Sequence, residues 1–205
     1  MIYLRRVYRP LKIYVVDVET AVIDISQDNY DPINCSICEI GIVNVDLATG
    51  NIENIFDGIC QEKKGCSPDS WVFKETTLTY EDVLKSKFLH DIQSKIQGIF
   101  DEGIPVTSWS HDFDFIHLEH PSRGFTIPVK FWDPKITLTD FLKISNPHHS
   151  GYKWPRVDEA FEYFNPNTPL TYSHRAIQDA KVEADIIFRA VQRWPILLER
   201  WQDFV

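Results

Sequence analysis

The stretch Lys12 to Thr20, KIYVVDVET, constrains the chain most. Ile13, Val15 and Val16 are β-branched and Tyr14 is aromatic, so this short apolar run predicts a buried strand. Asp17 and Glu19 stand at its far end. In extended backbone, residues i and i+2 project to the same face, which puts the two acids about 7 Å apart and pointing one way. Like charges at the end of an apolar strand repel and lose solvation, and a cation between them relieves both effects. A hard divalent ion such as Mg²⁺ or Mn²⁺ suits carboxylate oxygens. A strand end that turns into solvent also carries Asp and Glu, so this stretch alone leaves both readings open.

A length of 205 residues fits one domain, residues 1–205, with a substantial core. The apolar share of 43% and aromatic share of 13% exclude a disordered chain. No run approaches the ~18 to 20 apolar residues that cross a bilayer, and MIYLRRVYRPLK lacks an apolar signal core. A soluble, cytoplasmic protein without a membrane partner is the expectation. Cys35 and Cys38 have the spacing of a zinc half-site, but Cys60 and Cys66 do not supply a second such pair. Free thiols in a reducing compartment are expected instead.

The net charge of −9 argues against coating duplex nucleic acid, which is driven by Lys and Arg. It is compatible with an enzyme that grips a few nucleotides at one end. Arg5, Arg6, Arg9 and Lys12, with Lys63 and Lys64, are expected as solvated surface.

Along the chain, DNYDPIN reads as a loop and EIGIVNVD (Glu39–Asp46) as a second strand. LATGN turns into a third strand, NIENIFDGIC, completing an antiparallel meander. TYED begins a short helix at a capping signal. Phe88, Ile92, Ile96, Ile99 and Phe100 then recur at helical steps up to Gly103. Ile104–Trp109 predicts a fourth strand, and Ser110–His120 a helix with Phe113, Ile116 and His117 inward. Phe125–Trp132 reads as strand-like. Ile136–Ile144, Val157–Phe164 and Ser173–Trp194 read as helices, the last stopped by Pro195. The fold class is therefore α/β, a mixed sheet with helices packed on it.

Two more acidic clusters fall at element starts. Asp112 and Asp114 follow the fourth strand in SWSHDFDF, and His174 and Asp179 open the last helix in SHRAIQDAKVEAD. Residues five apart diverge by about 140° on a helix, so His174 and Asp179 are not an i, i+4 ligand pair. At the helix entry, His174 can swing above an ion that Asp179 binds and act as a base. Two ions roughly 4 Å apart suit phosphodiester hydrolysis, and a neutral imidazole can take the proton of the attacking water. Taken singly, His174 also reads as a surface or N-cap histidine, Asp179 as an ordinary helix acid, and Asp114 as a first-turn acid favoured by the dipole.

Together VVDVET, TSWSHDFD and HRAIQDA, in this order, resemble the three motifs of the DEDDh family of 3′→5′ exonucleases. EIGIVNVDLATGNI and LTYEDVLKS extend the resemblance over nearly the whole chain. It implies a ribonuclease H-like fold with a five-stranded mixed sheet whose first three strands are antiparallel. By the resemblance, Asp17, Glu19, Asp114 and Asp179 hold two Mg²⁺ or Mn²⁺ ions, and His174 is the general base. The backbone around Val18 and a Thr20–Ala21 turn face the terminal nucleotide. The family places an aromatic directly before the second-motif acid, which Phe113–Asp114 satisfies and His111–Asp112 does not; Asp112 is the alternative. TSWSHDFD, with Trp109 ahead of the motif, is similar to the Eri-type branch that trims RNA 3′ ends.

The expected partner is the 3′ end of a single-stranded nucleic acid, RNA ahead of DNA, with nucleoside 5′-monophosphates as products. A homodimer is compatible with this size, since small enzymes often form one. Trp71, Trp109, Trp132 and Trp154 lie near element boundaries, where a base can stack, although such residues are more often core. Two rival functions remain at this point: a scaffold or nucleic-acid-binding protein of the same fold without turnover, and a metal-dependent phosphatase acting on small phosphate esters.

Overall fold

A computed structural model describes residues 12–27, 29–170 and 174–200. Strands β1 (Lys12–Val22), β2 (Cys35–Asp46) and β3 (Ile52–Gln61) form the expected antiparallel meander. Gly50, at φ 77°, takes the left-handed turn position between β2 and β3. The two-residue strands β4 (Lys87–Phe88) and β5 (Val106–Thr107) add in parallel to β3 and β1. The sheet order is β4-β3-β2-β1-β5.

The mixed five-stranded sheet is thus the one the resemblance implies, but one edge is built from a different segment. Phe125–Trp132 contributes only a parallel bridge from Lys130 to Val106. Pro128 interrupts that run and has no N–H for a ladder, while Phe125, Ile127, Phe131 and Trp132 are buried as core side chains. β2 begins four residues before the expected Glu39, because Cys35 to Cys38 are buried and apolar enough to extend the pairing. All four cysteines are free.

The helices are α1 (Trp71–Glu75), α2 (Tyr80–Lys85), α3 (Leu89–Phe100), α4 (Asp114–Leu118), α5 (Pro134–Leu142), α6 (Val157–Phe164), α7 (Ala176–Arg193) and α8 (Ile196–Arg200). The capping signal before α2 is real. Thr79 Oγ1 accepts from the Asp82 N–H at 3.1 Å, and the Asp82 side chain accepts from the Thr79 N–H at 3.3 Å. α4 is shorter than the sequence suggested, and Ile116 points out at 53% exposure while Phe115, His117 and Leu118 are buried. Among the described residues no helix is long and apolar enough to cross a membrane.

Strand alternation sorts the core into two layers. Ile13 and Val15 of β1, with Val43 and Val45 of β2, pack with Ile177, Ala180, Ala184 and Ile187 of α7. Tyr14, Val16 and Val18, with Ile40 and Ile42, pack on the other side with Ile96, Ile99 and Phe100 of α3. The same alternation places Asp17 and Glu19 on the α7 face.

Candidate active site

The site begins where β1 and β2 meet α7. Asp17 pairs with Gly41 across the ladder and Glu19 with Glu39. A register shift between Glu19 and Thr20 makes β2 carry one extra residue there, and bulges of this kind re-aim side chains. Gly41 is required by close approach: a Cβ on it would sit 2.3 Å from the Ile177 nitrogen. The first turn of α7 therefore rests directly on the β2 backbone beside Asp17.

A buried ion pair fixes that contact. Glu39 is fully buried, and Arg175 donates to it from Nε, at 2.9 and 3.0 Å, and from Nη2, at 2.6 Å. The same carboxylate accepts from the Ala176 N–H at 3.1 Å, satisfying a donor at the start of α7. Glu39 is thus spent on structure, whereas Glu19, its partner across the ladder, faces the acid Asp179.

α7 then supplies the third-motif residues. His174 precedes the helix with φ 45°, a left-handed conformation that costs energy for a non-glycine residue and turns its ring toward the acids. Its Nδ1 lies 4.0 Å from Asp179 Oδ2. Ligand atoms of Glu19, His174 and Asp179 all fall within 4.8 Å of one another. The Trp71 ring meets the imidazole edge-on, with centroids 5.3 Å apart.

Asp114 enters from the start of α4. It is 3% exposed, and its Oδ1 accepts from the Val18 N–H at 3.3 Å, between the two β1 acids in sequence. Asp112 lies elsewhere: its carboxylate is largely exposed and pairs with Lys135 at 2.5 Å. Of the two second-motif acids, only Asp114 joins the cluster.

The electrostatics report a concentration of negative charge. Burial, then the charges of Glu183, Asp114, Glu19 and Asp179, push the Asp17 carboxyl well above the usual carboxylate range. Burial and the neighbouring Asp179 and Glu39 charges raise Glu19 to about 9. Burial raises Asp114 to about 7 against hydrogen bonds that favour its charged form. Burial, with the Glu39 charge, raises Asp179 to about 7. Such acids ionise together near neutral pH only if cations sit among them. The donors are carboxylate oxygens, which fit hard divalent ions such as Mg²⁺ and Mn²⁺.

One member of this cluster was not anticipated. Glu183 is 3% exposed, faces Asp114, Asp179 and Glu19, and accepts from the Trp109 N–H at 3.1 Å through Oε2. The signal lay in the sequence: Glu183 follows Asp179 by four residues and so shares its helix face.

Residues 14–187 match the RNase T family of exonucleases. The chain belongs to that family. As an exonuclease-family member it is 23% identical, over 175 residues, to a PolC-type DNA polymerase III from Caldanaerobacter subterraneus subsp. tengcongensis. That match covers 85% of this chain and 12% of the much longer polymerase. The fold is similar to the nuclease domain of 3′hExo, a DEDDh family member bound to rAMP, at TM-score 0.68 and 16% identity. The alignment covers 91% of this chain and 94% of that one. Exonuclease X in complex with 5′ overhanging duplex DNA aligns at TM-score 0.59 and 16% identity, covering 93% of this chain and 98% of its own.

Around the acids of this exonuclease-family chain, one local expectation changes. Thr20 and Ala21 do not form a turn; β1 continues to Val22, with Thr20 paired to Ile37 and Ala21 to Ser36. Ala21 is fully buried and packs beside Cys38, Val72 and Leu78, while Thr20 is half-buried. Of the four tryptophans near the predicted element boundaries, Trp109 and Trp132 are core, whereas Trp71 and Trp154 are 48% and 58% exposed. Trp71 lies beside His174 and lines a cleft of about 420 Å³ with Ile25, Gln27, Tyr30 and Lys74.

Proposed function

We propose that this protein is a metal-dependent 3′→5′ exonuclease acting on single-stranded nucleic acid, RNA in preference to DNA. The observation that carries this reading is the convergence of acids from three separated segments on one face of β1, with His174 4.0 Å from Asp179. Asp17, Glu19, Asp114 and Asp179 would hold two divalent ions. When bound, these ions would stabilise charge on the phosphoryl oxygens and make the attacking water more acidic.

The chain's own groups supply the remaining steps. His174, exposed enough at 38% to meet solvent, accepts the proton of the water whose oxygen attacks phosphorus. The bond from phosphorus to the 3′ oxygen of the preceding nucleotide breaks, that oxygen takes a proton from solvent to become the new 3′ hydroxyl of the shortened strand, and a nucleoside 5′-monophosphate leaves. Trp71 offers an aromatic face next to the imidazole on which the terminal base can stack. The backbone of Val18 and Thr20, with buried Ala21 behind it, forms the floor facing that nucleotide. The preference for RNA rests on the TSWSHDFD wording of the second motif, and a single-stranded end suits the net charge of −9.

The test uses 5′-labelled RNA and DNA strands of one sequence with Mn²⁺ or EDTA, and Asp17→Ala and His174→Ala as controls. A metal-dependent ladder shortening from the 3′ end and absent in both variants is the expected result. Intact strands under every condition would refute the reading, as would an Asp17→Ala variant that still degrades them.

A further inference from the structure

Glu183 raises a question that the motif residues do not answer. It is 3% exposed on α7, one turn beyond Asp179. Burying a carboxylate is costly unless a cation or several donors compensate it. Glu39, the other deeply buried glutamate nearby, has the Arg175 guanidinium and the Ala176 N–H. Glu183 receives the Trp109 N–H at 3.1 Å, and among the described residues no Lys, Arg or His forms an ion pair with it. The groups that face it are the acids Asp17, Asp114, Asp179 and Glu19.

A second observation points into the same pocket. Ser108 is fully buried, and its hydroxyl lies beside Asp114 without a hydrogen-bond partner in good geometry among the described residues. A buried hydroxyl in that condition calls for a ligand or its bound water. The lining therefore carries a fifth carboxylate beyond the four motif acids, with the buried Ser108 hydroxyl beside Asp114.

We propose that Glu183 is a fifth carboxylate of the metal centre, adding negative potential that favours ion binding and positioning the Asp114 side of the site through its bond to Trp109. This inference rests on the metal-centre reading above. Four acids offset two divalent ions on formal charge, and a fifth deepens the negative potential that draws the second ion in. Its hydrogen bond also links α7 to the end of β5, so that Asp179 and Asp114 keep one spacing as ions bind. Groups that support a metal site in this way typically change affinity by about 10- to 100-fold when altered.

The experiment titrates Mn²⁺ alone into the full chain and follows the free-ion signal by electron paramagnetic resonance. Thermal unfolding is recorded in parallel with and without the ion. Glu183→Gln keeps an oxygen for the Trp109 N–H and removes only the charge. It should bind Mn²⁺ about 10- to 100-fold more weakly, while its metal-free melting temperature stays the same or rises because a repelling charge is gone. Glu183→Asp, charged but shorter, should recover part of the affinity, and Glu183→Ala replaces the Gln variant if that one does not fold. Wild-type affinity in the uncharged variant, or an affinity in Glu183→Asp no higher than in the uncharged variant, would overturn the proposal. So would a lower metal-free melting temperature in Glu183→Gln with unchanged Mn²⁺ stabilisation, which would mark a packing role. Failure of the wild-type chain itself to bind Mn²⁺ would instead sink the metal-centre reading, and this inference with it.

Discussion

Asp17 sits directly across the β1–β2 ladder from Gly41, and Gly41 is the point on which the α7 backbone rests. The pairing couples strand acids to helix acids through backbone contact. Added bulk at Gly41 must push Ile177 and Ala176 away, since a Cβ would lie 2.3 to 2.5 Å from their backbone atoms. Gly41→Ala should cost about 1–3 kcal/mol of stability, the usual range for overpacking. Its effect on catalysis should be larger, on the order of 100-fold, because a shift of about 1 Å in a catalytic group has that consequence. Oligonucleotide turnover and urea unfolding on the same preparation would separate the two. Unchanged turnover would show that α7 can move without disturbing the site.

Arg175 makes a different claim on the same helix end. Its guanidinium is the counter-charge of fully buried Glu39, so Arg175→Ala strands a carboxylate in the core. Removing one partner of a buried pair costs about 3–5 kcal/mol, and the part-exposed guanidinium places this case near about 3. Glu39→Gln should cost less, because the Ala176 N–H keeps an acceptor. Chemical denaturation of both variants checks the order, and equal losses would contradict it.

Much of this was legible because the determining interactions are local. The strand at Ile13–Val18, the capping box at Thr79 and the helical steps of α3 and α7 follow from side-chain type and period. What escaped depends on long-range packing. β4 is two residues whose pairing to Cys60 and Gln61 exists because α3 starts next to it, and no run of two residues announces a strand. Ile116 reads as apolar and inward, yet the short α4 is oriented by Asp114 reaching Val18, which buries Phe115 and Leu118 instead. The acids of the motifs could be named through the family resemblance those motifs carry, whereas Glu183, one helical turn beyond Asp179, lies outside them. Its burial appears only when Trp109 from another segment is brought against it.

The two second-motif acids give a direct comparison. Asp114 is buried against Val18, while the exposed Asp112 is held by Lys135. Asp112→Asn should leave turnover within a few-fold and stability within about 0.5 kcal/mol, as expected for a surface pair. Asp114→Asn should abolish nearly all activity and weaken Mn²⁺ binding. Steady-state turnover and ion titration on both variants decide the matter. A large loss in the Asp112 variant would move the second-motif role to that residue.

Metal removal should make stability depend on pH in an unusual direction. Burial and mutual repulsion raise Asp114 and Asp179 to about 7 and Glu19 to about 9 in the folded chain. A carboxyl whose folded pKa lies above its unfolded value binds protons more readily when folded, so its stabilising contribution is present below the unfolded value and is lost as pH rises through the folded one. In EDTA, the melting temperature should therefore fall as pH climbs from the ordinary carboxylate range through about 7 for Asp114 and Asp179 and on toward about 9 for Glu19. Each unit of difference is about 1.4 kcal/mol, and about 1 kcal/mol moves a domain of this size by about 2–4 °C, though coupled groups do not add. Mn²⁺ should reverse the fall most strongly at the alkaline end, where the acids are charged and ready to bind. Asp179→Asn should flatten the EDTA profile around pH 7, since the amide neither titrates nor repels its neighbours. A wild-type profile that rises with pH in EDTA would mean that these carboxylates are already balanced without an ion.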